Sequence, residues 1–112
     1  PDRVIVVRRE DQPTVTDPSG WERRNLAPTI PGLAFEFMQT TIPPGVDAGT
    51  FPPHPPGSRE HITVAAGTLT LTLDDTEHHL TSGDAISYAG DCLHRFENRS
   101  TEPVVYYLAL VE

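Results

Sequence analysis

The chain has 112 residues, the size of one domain, and its 37% hydrophobic content supplies one modest core. No run approaches the ~20 continuous apolar residues that a membrane helix needs. Sixteen acidic residues stand against eight arginines, with no lysine, for a formal charge of −8. Such a chain repels polyanions on average, so a two-domain enzyme, a membrane protein and a direct nucleic-acid binder are not expected. The single cysteine, Cys92, rules out an intramolecular disulfide, and no charged-then-apolar leader opens the sequence. The cytoplasm is the expected compartment.

Twelve prolines and eight glycines divide the chain into short pieces, and proline costs a helix interior about 3 kcal/mol, so long helices are not expected. Residues 3–8 read as a first strand. Segment 11–31 is polar and proline-rich, with Trp21 beside Glu22, Arg23 and Arg24, and reads as part of an extended arm over 1–31 with one weak strand. A barrel then occupies 32–112. Residues 33–41 read as its first strand, followed by the prolines Pro52, Pro53, Pro55 and Pro56 around His54. Fixed φ angles there stiffen the loop that carries this histidine.

Residues 60–66 alternate, and Glu60 shares parity with Ile62 and Val64, which aims Glu60 inward and His61 outward. A carboxylate on a core face needs a cation, a hydrogen-bond network or a proton. Residues 68–73 give the clearest strand, with Leu69, Leu71 and Leu73 on one face and threonines on the other. Asp74, Asp75 and Thr76 predict a hairpin turn, and Ala66 with Gly67 a tight connection. Further strands fall at 77–81, 85–88, 94–98 and 104–111. The last is apolar on both faces, as expected of a covered strand or a subunit contact. About eight short strands at this spacing predict an all-β sandwich or barrel.

Chemistry concentrates in the five histidines. His61 points outward. His78 and His79 are neighbours of opposite parity, a poor metal pair, with His78 partly buried beside Leu80. Cys92, two residues before His94, reads as an unreactive thiol in the barrel mouth, since a nucleophilic thiol needs a nearby base or positive field. Arg59 and Arg95 alternate outward. A hydrolase elbow Gly-x-Ser-x-Gly and a phosphate-binding glycine loop are both missing from the sequence. Phe35, Phe37, Phe51, Tyr88 and Phe96 are expected to line or fill the interior, with Phe37, Phe51, Tyr88 and Phe96 as the ligand-pocket candidates.

Two spaced motifs give these residues a context. His54, Glu60 and Gly67 stand at the first histidine, the glutamate and the closing glycine of the first cupin motif. Gly83, His94 and Asn98 stand at the glycine, histidine and asparagine of the second. The sequence therefore resembles the cupin superfamily, which implies a double-stranded β-helix, or jelly-roll barrel. Ala89 and Asp91 replace a proline and a glycine at turn positions. Pro56 replaces the second histidine of the first motif and removes a ligand.

The resemblance implies that His54, Glu60 and His94 converge as two imidazoles and one carboxylate. This set suits a divalent zinc, iron, nickel or manganese ion with open positions. A metal-free cavity, with Glu60 hydrogen-bonded internally, is the alternative.

The run from His54 to Gly67 looks most like the C-terminal cupin domains of bacterial helix-turn-helix regulators. That likeness implies a cytoplasmic, homodimeric sensor of a small molecule or metal, reaching DNA only through a separate N-terminal domain. A stand-alone metal-dependent oxygenase or isomerase is the runner-up. A closed, purely structural dimerisation module is the third reading.

Overall fold

The computed structural model describes residues 3–112. After a short 3-10 turn at Arg9–Asp11 come β1 (Thr14–Thr16), β2 (Glu22–Asn25), β3 (Phe35–Ile42), β4 (Asp47–Phe51) and β5 (Arg59–Ala66). They are followed by β6 (Thr68–Leu73), β7 (Thr76–Thr81), β8 (Ala85–Ala89), β9 (His94–Glu97) and β10 (Val104–Val111). Two antiparallel sheets result, one ordered β1-β2-β3-β10-β5-β8 and the other β4-β9-β6-β7. This is the all-β jelly roll that the alternating runs and their spacing predict. None of the described residues forms a helix long and apolar enough to cross a membrane.

The core follows from period-two alternation. Leu69 and Leu71 of β6 are fully buried and face Ile42, Ile62, Val64 and Val104 of the larger sheet. Strand β10 lies between β3 and β5, with Val104, Tyr106, Leu108 and Leu110 buried. Its other face is only partly covered, so the expectation of two covered faces holds fully for the inner one alone. Register across β10 sets three interior rows: Glu36–Leu110–Glu60, Met38–Leu108–Ile62 and Thr40–Tyr106–Val64.

Turn chemistry closes the hairpins. Asp74 and Asp75 form the two-residue turn between β6 and β7, and Asp74 takes φ +50°, which aspartate tolerates better than most residues. Gly67 takes φ +79°, and a Cβ there would stand 2.3 Å from the Pro103 carbonyl oxygen. Glycine is needed twice over, for conformation and for space.

Three expectations need correction. Residues 3–8 form no strand: Val4 and Val6 are 80% and 63% exposed, and an apolar β-branched run without a pairing partner has nothing to bury against. Strand β4 has no counterpart among the expected strands, because Gly49, at φ +99° beside a register shift, breaks its alternation. Segment 11–31 holds two strands, with β2 paired along β3 from Glu22↔Thr41 to Asn25↔Met38. Polar Glu-Arg-Arg-Asn has little strand propensity, but backbone bonds to an existing sheet edge do not depend on side chains.

Candidate functional site

Three elements bring the site together. His54 sits in the proline-rich loop between β4 and β5, Glu60 is the second residue of β5, and His94 opens β9. The loop is tied down by the backbone: His54 N–H donates to the Gly90 carbonyl at 2.9 Å, and Gly90 N–H donates to the Ser58 carbonyl at 2.9 Å. Gly90 packs so close that a Cβ would meet Ser58 Oγ at 2.6 Å.

Glu60 is 2% exposed and His94 3%, and the strand parity that aims Glu60 inward also leaves His61 outside, against Ser87. Glu60 Oε1 lies 2.8 Å from His54 Nε2 and 3.5 Å from His94 Nε2. The two imidazoles stack with centroids 5.1 Å apart. On the far side, the Tyr88 hydroxyl donates to Glu60 Oε2. Burial, reinforced by the Glu60 charge, pushes the Tyr88 phenol far above its usual range, so it stays a donor. One carboxylate oxygen is thus anchored to protein and the other faces the histidines. His94 Nδ1 donates to the Cys92 carbonyl at 2.9 Å, which turns Nε2 toward Glu60 and the cavity.

One donor atom from each of His54, Glu60 and His94 falls within 4.8 Å of the others. Nitrogen and oxygen ligands bind zinc at about 2.0–2.2 Å, which sets neighbouring ligands about 3–3.5 Å apart. The Glu60 Oε1 distances of 2.8 and 3.5 Å match that spacing, and small side-chain rotations that bring all three donors within it would complete a site for a divalent transition ion. Pro56 is exposed and offers no fourth ligand. Without an ion, Glu60 is satisfied by Tyr88 and the histidines, so the residues also suit a metal-free site.

The triad lies on the wall of a cavity of about 330 Å³. Phe51 and Phe96 line it, with Phe96 edge-on to His94 at 5.9 Å and Phe51 stacked on His94 at 6.1 Å. Tyr88 stands behind Glu60 and not on the cavity wall. Phe37 lies outside the cavity, a correction with a simple cause: Met38, Thr40 and Ile42 take the inward parity of β3, so Phe37 must point out. Sequence reasoning missed Trp21, Arg23 and Asn25, which enter the cavity from β2 and the residue before it, and Met38, Thr40, Tyr106 and Leu108 from the sheet floor. The signal for the first three was the alternation Trp21-x-Arg23-x-Asn25, masked by the intervening charges.

The remaining candidates are structural. Asn98 is 1% exposed; its amide donates to the Ile42 and Glu102 carbonyls at 2.9 and 2.7 Å, and its oxygen accepts from Ser100 N–H at 2.9 Å. His78 is partly buried and His79 exposed, the latter near Glu77 at 3.4 Å. Arg59 is exposed, and Arg95 is held by Asp47 at 2.7 Å. Burial first, then the charges of Asp74, Glu60 and Asp91, pushes the Cys92 thiol up.

Two facing antiparallel sheets with two histidines and a glutamate meeting between them define a cupin-type barrel. The chain belongs to the cupin family: residues 38–111 match the cupin domain model. Protein SchB of Streptomyces halstedii is 32% identical over 94 residues, covering 83% of this chain and 67% of SchB. The structure of the cupin domain of an XRE family transcriptional regulator from Enterobacter cloacae superposes with TM-score 0.77 and 26% identity, covering 82% of this chain and 96% of that one. A cupin sugar phosphate isomerase from Silicibacter pomeroyi superposes with TM-score 0.62 and 28% identity, covering 80% of this chain and 59% of that one.

Proposed function

We propose that this chain is a sensor domain that binds a small molecule inside the barrel, of the kind that forms the C-terminal part of a bacterial transcriptional regulator. In this reading His54, Glu60 and His94 hold a divalent transition metal that takes part in ligand binding. The observation that carries it is the cavity of about 330 Å³ with the triad on its wall, at the small end of the roughly 300–1,000 Å³ of ligand pockets. A closed dimerisation module would have no use for this space. The near full-length superposition on a regulator's cupin domain supports the regulatory setting.

Sensing requires that the bound state favour one quaternary arrangement, because only differential affinity shifts an equilibrium. The second copy docks on the outer face of the six-stranded sheet, where exposed Phe35 and Phe37 stack in series with half-buried Tyr107. The cytoplasm, where regulators meet DNA, is the matching compartment. A second reading, a metal-dependent enzyme, is favoured by the open face that the triad turns toward the cavity.

Sedimentation of the chain with and without zinc separates the two. The sensor reading expects zinc to bind at the triad, binding to be lost in His94→Ala, and the dimer dissociation constant to change on loading. Zinc binding with an unchanged dimer constant favours the enzyme. No binding to the parent chain removes the metal from either reading.

A further inference from the structure

The inward face of β2 carries an arginine that the fold does not use. Three arginines are half-buried: Arg23, Arg24 and Arg95. Arg24 pairs with Glu22 at 3.3 Å, and Arg95 pairs with Asp47 at 2.7 Å and Glu97 at 3.4 Å. Arg23 lines the cavity and makes no ion pair or side-chain hydrogen bond among the described residues. A guanidinium is charged at any ordinary pH, and withdrawing it from water without a partner is costly.

Its position follows from register. Arg23 lies opposite Thr40, which continues the row through Tyr106 to Val64. The triad glutamate is four residues of β5 away from Val64 and three strands from β2, so Arg23 and the metal ligands sit diagonally across the inner face. Glu36 also lines the cavity, but it occupies the row of Leu110 and Glu60, four residues from Thr40, or about 13 Å along the strand. Among the described residues no ion pair joins Glu36 or any other carboxylate to Arg23. Asn25, two residues on, and Thr40 add hydrogen-bonding groups near it, while Met38, Leu108 and Trp21 supply apolar wall between the two poles.

We infer that Arg23 is the anion subsite of this cavity, and that the ligand is a small organic acid whose carboxylate pairs with Arg23 while its apolar body extends over Met38 and Leu108 toward the triad. This rests on the ligand-binding reading above and names its ligand class. A planar guanidinium matches a carboxylate in bidentate fashion. One cation neutralises one negative charge, and the mostly apolar wall disfavours the second charge and the tighter hydration of a phosphate. The overall charge of −8 keeps large polyanions away, so a local cation inside the barrel selects a small anion.

Trp21 is the only tryptophan and lines the same cavity, so its fluorescence reads occupancy without any activity. The probes are hexanoate, hexanamide and inorganic phosphate, titrated into metal-free and zinc-loaded chain. Hexanoate is expected to saturate the Trp21 signal at a concentration at least tenfold below that for hexanamide, in both forms. Arg23→Gln is expected to abolish that preference while hexanamide binding stays, and Arg23→Lys to keep part of it. The preference in the parent chain needs no variant, so a folding defect in either mutant does not blunt the test.

Equal binding of hexanoate and hexanamide overturns the subsite yet leaves a ligand cavity, as does a preference that survives Arg23→Gln. Phosphate binding tighter than hexanoate overturns the assignment to a carboxylate. If no probe changes Trp21 fluorescence, the subsite falls; if zinc fails to bind as well, the ligand-binding reading falls with it.

Discussion

Glu60 shows how much a single buried carboxylate organises. Its outward neighbours Arg59 and His61 reach solvent, while it receives the Tyr88 hydroxyl on one oxygen and faces two imidazoles with the other. Removing the phenol in Tyr88→Phe leaves Oε2 without its donor and frees the carboxylate to rotate. Metal affinity is expected to fall by about 10–100-fold, as for other supporting groups around metal ligands, read by competition against a chelating dye. Unchanged affinity would show that the phenol does not orient Glu60.

Cys92 gives a second prediction at the same scale. Burial, then the charges of Asp74, Glu60 and Asp91, raises its pKa, so at pH 8 it holds less thiolate than an ordinary cysteine. Alkylation by iodoacetamide at pH 8 is expected to be slower than that of a free cysteine peptide. A rate equal to the peptide's would place the thiol in water and contradict its burial.

The inward aim of Glu60 was legible because polar and apolar residues alternate cleanly around it. That of Phe37 was not, because Phe35, Phe37, Met38 and Ile42 make both parities of β3 apolar. Only pairing with β10 decides which set faces the core.

At the scale of elements, connections constrain the fold as strongly as strands do. Gly67 combines positive φ with a backbone oxygen where a Cβ would go, whereas Gly83, at φ +91°, has nothing within 4 Å of the place a Cβ would take. Gly83→Ala therefore meets conformational strain alone, about 1–2 kcal/mol, while Gly67→Ala adds displacement of the Pro103 backbone and is expected to cost several kcal/mol. Urea unfolding of the two variants checks the order, and equal losses would mean that the β5–β6 connection yields freely. Both glycines stand at motif positions, which is why the sequence marks them.

Strands were legible where alternation is unbroken: β6 and β10 fall at 68–73 and 104–111 as read. They were hidden where pairing overrides composition. Strand β2 is charged and short, yet it and the residue before it supply Trp21, Arg23 and Asn25 to the cavity. The motif residues His54, Glu60 and His94 could be named from spacing, whereas the rest of the cavity wall depends on which sheet edge a polar strand joins, and spacing carries no information about that.

For the whole molecule, the two outer faces differ in kind. The smaller sheet bears an ion-pair ladder in which Arg99 joins Glu77 at 2.7 Å and Glu97 at 3.1 Å, and Arg95 joins Asp47 at 2.7 Å. Such a face stays hydrated. The larger sheet exposes Phe35 and Phe37 at 38% and 37%, stacked in series with Tyr107 at centroid distances of 6.3 and 6.1 Å. Water contact along an aromatic row is unfavourable, and a second copy docked there would remove it symmetrically.

The parent chain is therefore expected to sediment as a dimer at micromolar concentration. A charge at the centre of the row, in Phe37→Glu, is expected to give a monomer, because each dimer would bury two unpaired carboxylates. Since Phe37 lies outside the cavity, the monomer is expected to keep the triad and to bind zinc, with an affinity shifted from the parent's by the factor by which zinc shifts the dimer dissociation constant. A parent chain that is already monomeric, or a variant that still dimerises, would move the interface away from this face. Zinc affinity that is identical in the monomer and the dimer would show that assembly and ligation are uncoupled, and would count against the sensor reading.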